Sequence, residues 1–154
     1  MDERPHVESQ ARMVDVGAKP VTDRHAIARG TVQMNEKTRV AITERRLSKG
    51  DVLEVARVAG IMAAKRTSEL IPLCHPIGIS SVSIDLEAAA GGIEITARVS
   101  TSDRTGVEME ALTAVAVAGL TVYDMVKGIE RGVRLTDVRL VGKSGGASGD
   151  YRAS

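Results

Sequence analysis

The stretch SVSIDLEAAAGGIEITARV, residues 81–99, decides the fold. Val82, Ile84 and Leu86 alternate with Ser81, Ser83 and Asp85, and Ile93, Ile95, Ala97 and Val99 alternate with Glu94, Thr96 and Arg98. A period of two is that of a strand with one face buried, and Gly91-Gly92 supplies a turn between the two runs. The segment therefore predicts an antiparallel hairpin with an apolar face that other elements must cover.

Those covering elements are legible on either side. Upstream, Ser48-Lys49-Gly50-Asp51 has the form of a capping box with Asp in place of Glu, and Val52, Val55, Ala56, Ala59, Met62 and Ala63 recur at helical spacing. This predicts a helix over about residues 50–68. Ahead of it, Gly30-Thr-Val-Gln-Met is short and β-branched and Asn35-Glu-Lys-Thr38 reads as a turn, which places a first strand near 30–34. Downstream, Ser102-Asp103 stand as caps before a second helix over about 107–127, apolar nearly all round and stopped by Gly128. Arg134 to Val141 gives a last strand. Strand, helix, strand, strand, helix, strand is the ferredoxin-like βαββαβ arrangement, an α+β fold with helices on one face of an antiparallel sheet. One domain is expected over 13–154, with a disordered tail over 1–12 and a flexible glycine-rich loop near the C-terminus.

Composition bounds the function. Lys plus Arg number 21 against 20 Asp plus Glu, so the chain has no general attraction for nucleic acid or an anionic membrane. It has no Phe, no Trp and 2 Tyr, which leaves almost no ring on which a base could stack. An aliphatic core buries less area per residue than one with rings, so burial between copies of the chain is expected. The uncharged run Ala111 to Tyr123 is shorter than the roughly 20 residues that span a bilayer, and reads as a buried element of a soluble protein. A single cysteine and a charged N-terminus point to a reducing cytosol and a cytoplasmic location.

Four places can carry chemistry. In Pro72-Leu73-Cys74-His75-Pro76 the prolines stiffen the chain, so Leu73 and His75 project to one side and Cys74 to the other; Cys74 reads as a small buried hydrophobe and His75 as the presented group. Asp124 and Lys127 lie about 60° apart around a helix axis, as an acid and base pair or as an ordinary surface ion pair. Glu108 and Glu110 flank Met109 at the other end of that helix, where carboxylates also serve as simple dipole partners. A straight helix puts Glu110 and Asp124 about 21 Å apart, so one small substrate meets both only if they come from different subunits. Gly142-Lys143-Ser144-Gly145-Gly146 lacks the first glycine of a P-loop; it is either a loop that wraps a phosphate or a C-terminal tail. His6, His25 and His75 have no ligand spacing, and no metal site is expected.

With these residues assembled, the chain resembles the molybdenum cofactor biosynthesis protein C family, the cyclic pyranopterin monophosphate synthases. The resemblance lies in MVDVGAKPVTDR at 13–24, KGDVLEVARVAGIMAAKRTSELIPLCHPI at 49–77, TGVEMEALTAVAVAGLTVYDMVK at 105–127 and VGKSGG at 141–146. It implies a lyase of molybdenum cofactor biosynthesis that rearranges (8S)-3',8-cyclo-7,8-dihydroguanosine 5'-triphosphate to cyclic pyranopterin monophosphate and releases pyrophosphate. It also implies a homohexamer, a trimer of dimers. Carried onto this sequence, substrate contacts fall on Leu73, Cys74, His75, Met109 and Glu110, and the acid or base on Asp124. Lys49, Glu108, Lys127 and Lys143 line the implied pocket, with Lys49 and Lys127 in catalytic roles, and Arg24 and Arg104 are phosphate partners. No cofactor is required by this reading, and any magnesium would travel with the substrate phosphates. Two other classes stand against it: a small-molecule-binding regulatory domain of the same fold, and a purely structural oligomer. Neither calls for Asp124 beside Lys127 or for a lysine in a glycine-rich segment.

Overall fold

A computed structural model describes residues 10–154; the expected tail over 1–12, and His6 within it, lie outside the described residues as far as residue 9. The chain forms β1 (Thr22–Gln33), α1 (Glu36–Thr43), α2 (Val52–Lys65), α3 (Thr67–Leu70), β2 (Ile79–Ala89), β3 (Gly92–Asp103), α4 (Glu108–Val126), β4 (Arg134–Ser144) and β5 (Tyr151–Arg152). The strands make one antiparallel sheet in the order β2-β3-β1-β4-β5. The first four strands have the ferredoxin-like order, so the α+β expectation holds.

The hairpin is β2 and β3, with Ala89 opposite Gly92 and Gly91 at a positive φ of 89° that the turn requires. Ile84, Leu86, Ile93, Ile95, Ala97 and Val99 are buried, as the alternation predicted. The sheet buries one face under α2 and α4, which also pack on each other. By length and composition α4 is apolar enough to cross a bilayer, yet it lies in the core with Ala111, Ala114, Val115, Ala118 and Val122 fully covered. It is not covered all round: Leu120 is 59% exposed.

Several local expectations change. β1 begins at Thr22 rather than near 30, because its first half pairs with β3 and β4 through backbone bonds that its polar side chains do not advertise. Asn35 is not a turn residue but the N-cap of α1, its side chain accepting from Thr38 N at 2.9 Å. The N-cap of α2 is Asp51, three residues after Ser48, and its side chain accepts from Glu54 N at 3.3 Å. Ser102 and Asp103 belong to β3 and do not cap α4, whose N-cap is Val107. Gly128 takes no left-handed φ; α4 ends with Ile129 and Glu130 amides donating to the Val126 carbonyl. The C-terminal residues fold back, with Lys143 opposite Tyr151 and Gly142 opposite Arg152, so the tail reading fails for them.

Candidate functional site

The residues singled out in the sequence fall into two groups, one at each end of α4. At the C-terminal end Lys127 Nζ lies 2.8 Å from Asp124 Oδ1, one helical turn away. Lys49, on the loop before α2, reaches the same carboxylate at 3.7 Å and donates to the Asp124 backbone carbonyl at 3.0 Å. The three side chains remain about half exposed, Asp124 at 60%. Its pKa is held below the usual aspartate value, first by the hydrogen bond and charge of Lys127 and then by the charge of Lys49. This carboxylate is ionised at neutral pH and is flanked by two cations.

At the N-terminal end a cavity of about 300 Å³ opens beside the start of α4. Leu73, Cys74 and His75 form one wall, and Thr105, Gly106, Glu108 and Met109 another. The expectation that Cys74 packs away from Leu73 and His75 is therefore overturned: all three line the same cavity. The reason is a turn, closed by the Cys74 amide donating to the Ile71 carbonyl at 3.1 Å, where the prolines had implied a fully extended run.

Cys74 also has a partner. Its thiol donates to Glu110 Oε1 at 3.6 Å. Glu110 is only 2% exposed, and its Oε2 has no hydrogen-bond partner among the described residues. Burial pushes the Glu110 carboxyl up from the usual glutamate value, and the charge of Glu108 adds to the rise, against the hydrogen bonds from its own amide and from Cys74. Burial likewise raises the Cys74 thiol to about 11, with the charge of Glu110 contributing. Near neutral pH Cys74 is thus a thiol and not a thiolate, which excludes it as a ready nucleophile.

The remaining residues border this end. Lys143, on β4, pairs with Glu108 at 2.9 Å and donates to Ser148 Oγ at 2.7 Å. Gly145 and Gly146 both take positive φ, and a Cβ at Gly146 would strike the Arg24 guanidinium, so the glycine run closes over Arg24. Arg24 donates from Nε to the Asp103 carbonyl at 3.0 Å and from Nη2 to the Arg104 carbonyl at 3.2 Å. Arg104 in turn donates from Nη1 to the Gly17 carbonyl at 3.0 Å. Leu73, Cys74, His75, Glu108 and Met109 are thus gathered at one cavity, with Glu110 behind it and Lys143, Arg24 and Arg104 on its border. Asp124, Lys127 and Lys49 are not brought to it. A continuous α-helix separates Glu110 from Asp124, a span of about 21 Å along the axis.

A third wall of the cavity comes from Val14, Val16 and Lys19, which sequence reasoning did not single out. The segment 13–21 has no hydrophobic period; it falls in the stretch 13–24 that carries the family resemblance, and its place beside His75 and Met109 shows it to be a wall of the cavity.

The model of the MoaC family matches residues 13–146. A protein of Cereibacter sphaeroides named cyclic pyranopterin monophosphate synthase is 57% identical over 147 residues, covering 94% of this chain and 92% of that protein. Proteins with the same name from Thermomicrobium roseum, 56% identical over 99% of this chain and 94% of theirs, and Rhodospirillum rubrum, 58% identical over 94% and 88%, are similar to the same extent.

Proposed function

The chain belongs to the MoaC family, and from that premise we propose that it is a cyclic pyranopterin monophosphate synthase of molybdenum cofactor biosynthesis. It rearranges (8S)-3',8-cyclo-7,8-dihydroguanosine 5'-triphosphate to cyclic pyranopterin monophosphate and releases pyrophosphate, which is lyase chemistry. The observation that carries this reading is the match to the family across residues 13–146, together with relatives bearing that name along nearly their whole length.

The side chains suit the reaction. A triphosphate that loses pyrophosphate needs cations on the departing oxygens, and Lys49 and Lys127 flank Asp124 within ion-pair distance. Opening and reclosing a purine-derived ring needs proton transfers by groups of different pKa. Asp124 is an ionised carboxylate suited to accept a proton, and Glu110 is a buried carboxyl suited to hold one. His75, Cys74 and Leu73 border the cavity that would take the pterin-forming end. Lys143, Arg24 and Arg104 would meet phosphate, and magnesium would enter only with those phosphates.

Because the helix holds Glu110 and Asp124 about 21 Å apart, each pocket in this reading is completed by a second copy of the chain, in a cytoplasmic hexamer built as a trimer of dimers. The half-exposed Asp124, Lys127 and Lys49 suit a site that one chain leaves open. Incubating the purified protein with the cyclised nucleotide tests the reading. Pyrophosphate and cyclic pyranopterin monophosphate should form in equal amounts, and an oligomer that forms neither would sink it in favour of a binding or structural role.

A further inference from the structure

The cluster at the C-terminal end of α4 draws its cations from two distant places in the chain. Lys127 caps the helix that carries Asp124, whereas Lys49 arrives from the loop between α1 and α2. One helical turn is enough to fix Lys127 beside Asp124. Lys49 depends on whatever fixes its loop.

α1 is one anchor of that loop, and packing holds it weakly. It has 8 residues, short of the roughly 12 that an isolated helix needs, and its buried side chains are Thr38 and Ile42. The loop grows directly out of it: the Arg45 amide donates to the Ile42 carbonyl at 3.1 Å, the Arg46 amide to the Ala41 carbonyl at 3.0 Å and the Gly50 amide to the Leu47 carbonyl at 3.2 Å. Arg45 takes a φ of 55°, which a residue with a Cβ keeps only where its surroundings impose it. A shift of α1 is therefore passed on to Lys49.

What ties α1 is a carboxylate. Glu130, in the turn after α4, accepts from the Asn35 amide at 2.9 Å and from the hydroxyl of the buried Thr38 at 2.9 Å, both through Oε1. That turn is itself bound to α4, by the Ile129 and Glu130 amides on the Val126 carbonyl and by the Tyr123 hydroxyl on the Arg131 carbonyl at 3.1 Å. A continuous path runs from the end of α4 through Glu130 to the start of α1 and along the loop to Lys49, which returns to Asp124.

We infer that Glu130 is a positioning residue, setting Lys49 against Asp124 by tethering α1 to the turn after α4. The effect on turnover rests on the functional reading above; the tether and its effect on the Asp124 carboxylate do not. Asp124 is faced by Lys127 from its own helix and by Lys49 from the loop, and both hold its pKa down. Removing the negative charge of Glu130 would by itself lower that pKa further, and losing a mere structural cap would leave it alone. Only a Lys49 that drifts away raises it.

The test follows the Asp124 carboxyl, identified as the NMR carboxyl-carbon signal absent from Asp124→Asn, through a pH titration. Glu130→Ala should raise its pKa towards the value in Lys49→Ala, and should add nothing in the Lys49→Ala background. Glu130→Gln keeps an acceptor oxygen and should stay near wild type. Thr38→Val removes only the hydroxyl and should shift the titration as Glu130→Ala does, by less; it carries the test if Glu130→Ala does not fold. With the cyclised nucleotide, kcat of Glu130→Ala should fall about tenfold, as a misplaced catalytic group implies. An unmoved or lowered Asp124 pKa in the folded variants without the tether, a rise that persists in the Lys49→Ala background, or an unchanged kcat beside an active wild type would overturn the proposal. If the pKa rose as expected while wild type formed no product, the tether would stand and the proposed activity would fail.

Discussion

At the N-terminal end of α4 the carboxyl of Glu110 is buried, one of its oxygens without a partner among the described residues and the other facing a thiol; at the C-terminal end the carboxylate of Asp124 stands half in solvent between two ammonium groups. The helix dipole would favour the reverse, stabilising an anion at the start and a cation at the end. Desolvation prevails at Glu110 and raises its pKa, and direct pairing with Lys127 and Lys49 prevails at Asp124 and lowers its pKa. One helix therefore presents a proton holder and a proton acceptor. Rigid spacing keeps them from neutralising each other within a chain.

The largest effect should come from the open end. Asp124→Asn removes the ionised carboxylate, and product formation should drop by about 10² to 10⁴, the usual worth of a positioned acid or base. Lys127→Ala should fall in the same range. Size-exclusion chromatography should find both variants in the wild-type oligomer, because neither exposed side chain supports the core. Loss of assembly in both would reassign the pair to structure.

At the buried end the expected signature is in stability. A carboxyl whose folded pKa is raised contributes stability that is fully present below its unfolded pKa and lost as pH rises through the folded pKa. The unfolded value for Glu110 is near 4.5, so the loss begins there. Glu110→Gln, which cannot ionise, should match wild type in acid and gain on it above pH 4.5, by about 1.4 kcal/mol for each unit of the pKa rise. Thermal melts across pH 4 to 8 measure the difference. A gap that stayed flat with pH would mean that Glu110 ionises normally in the folded protein.

The smallest effect concerns Cys74. With its thiol near 11 instead of 9.0, the thiolate fraction is about a hundredfold below that of an ordinary cysteine, and alkylation should be slowed to match. Cys74→Ala should cost about 1 kcal/mol, the scale of one hydrogen bond, and affect turnover less than Asp124→Asn. Rapid alkylation at neutral pH would contradict the thiol-to-carboxyl contact.

What was legible in the sequence was whatever left a period. The hairpin over 81–99 and the long helix ending near Lys127 announce themselves because one face, or nearly every face, must be apolar. α1 was not legible, because Asn35-Glu36-Lys37-Thr38 serves a turn and a helix start with the same hydrogen bonds, and Asn35 makes the latter choice by accepting from the Thr38 amide. The start of β1 was hidden by Asp23, Arg24 and His25, whose strand is held by β3 and not by burial of their side chains. In the site, residue types named Asp124, Lys127 and His75, but the thiol of Cys74 facing Glu110 follows from a turn that flanking prolines misreport. The wall from Val14 to Lys19 left no hydrophobic period; it lies in the stretch 13–24 that carries the family resemblance, but its place at the cavity is set by a clamp from Arg104, distant in sequence.

The claim that the two ends of α4 serve one reaction in different chains is tested most directly by mixing. Inactive Glu110→Ala subunits and inactive Asp124→Asn subunits are combined under conditions that allow exchange, and product formation is followed. A mixed dimer has one pocket with both faults and one with neither, so activity should rise from the parental background towards about 25% of wild type at free exchange of equal amounts. If mixed dimers, verified by mass, remain as inactive as the parents, each site is built within a single chain and the assignment of one of the two carboxylates is wrong.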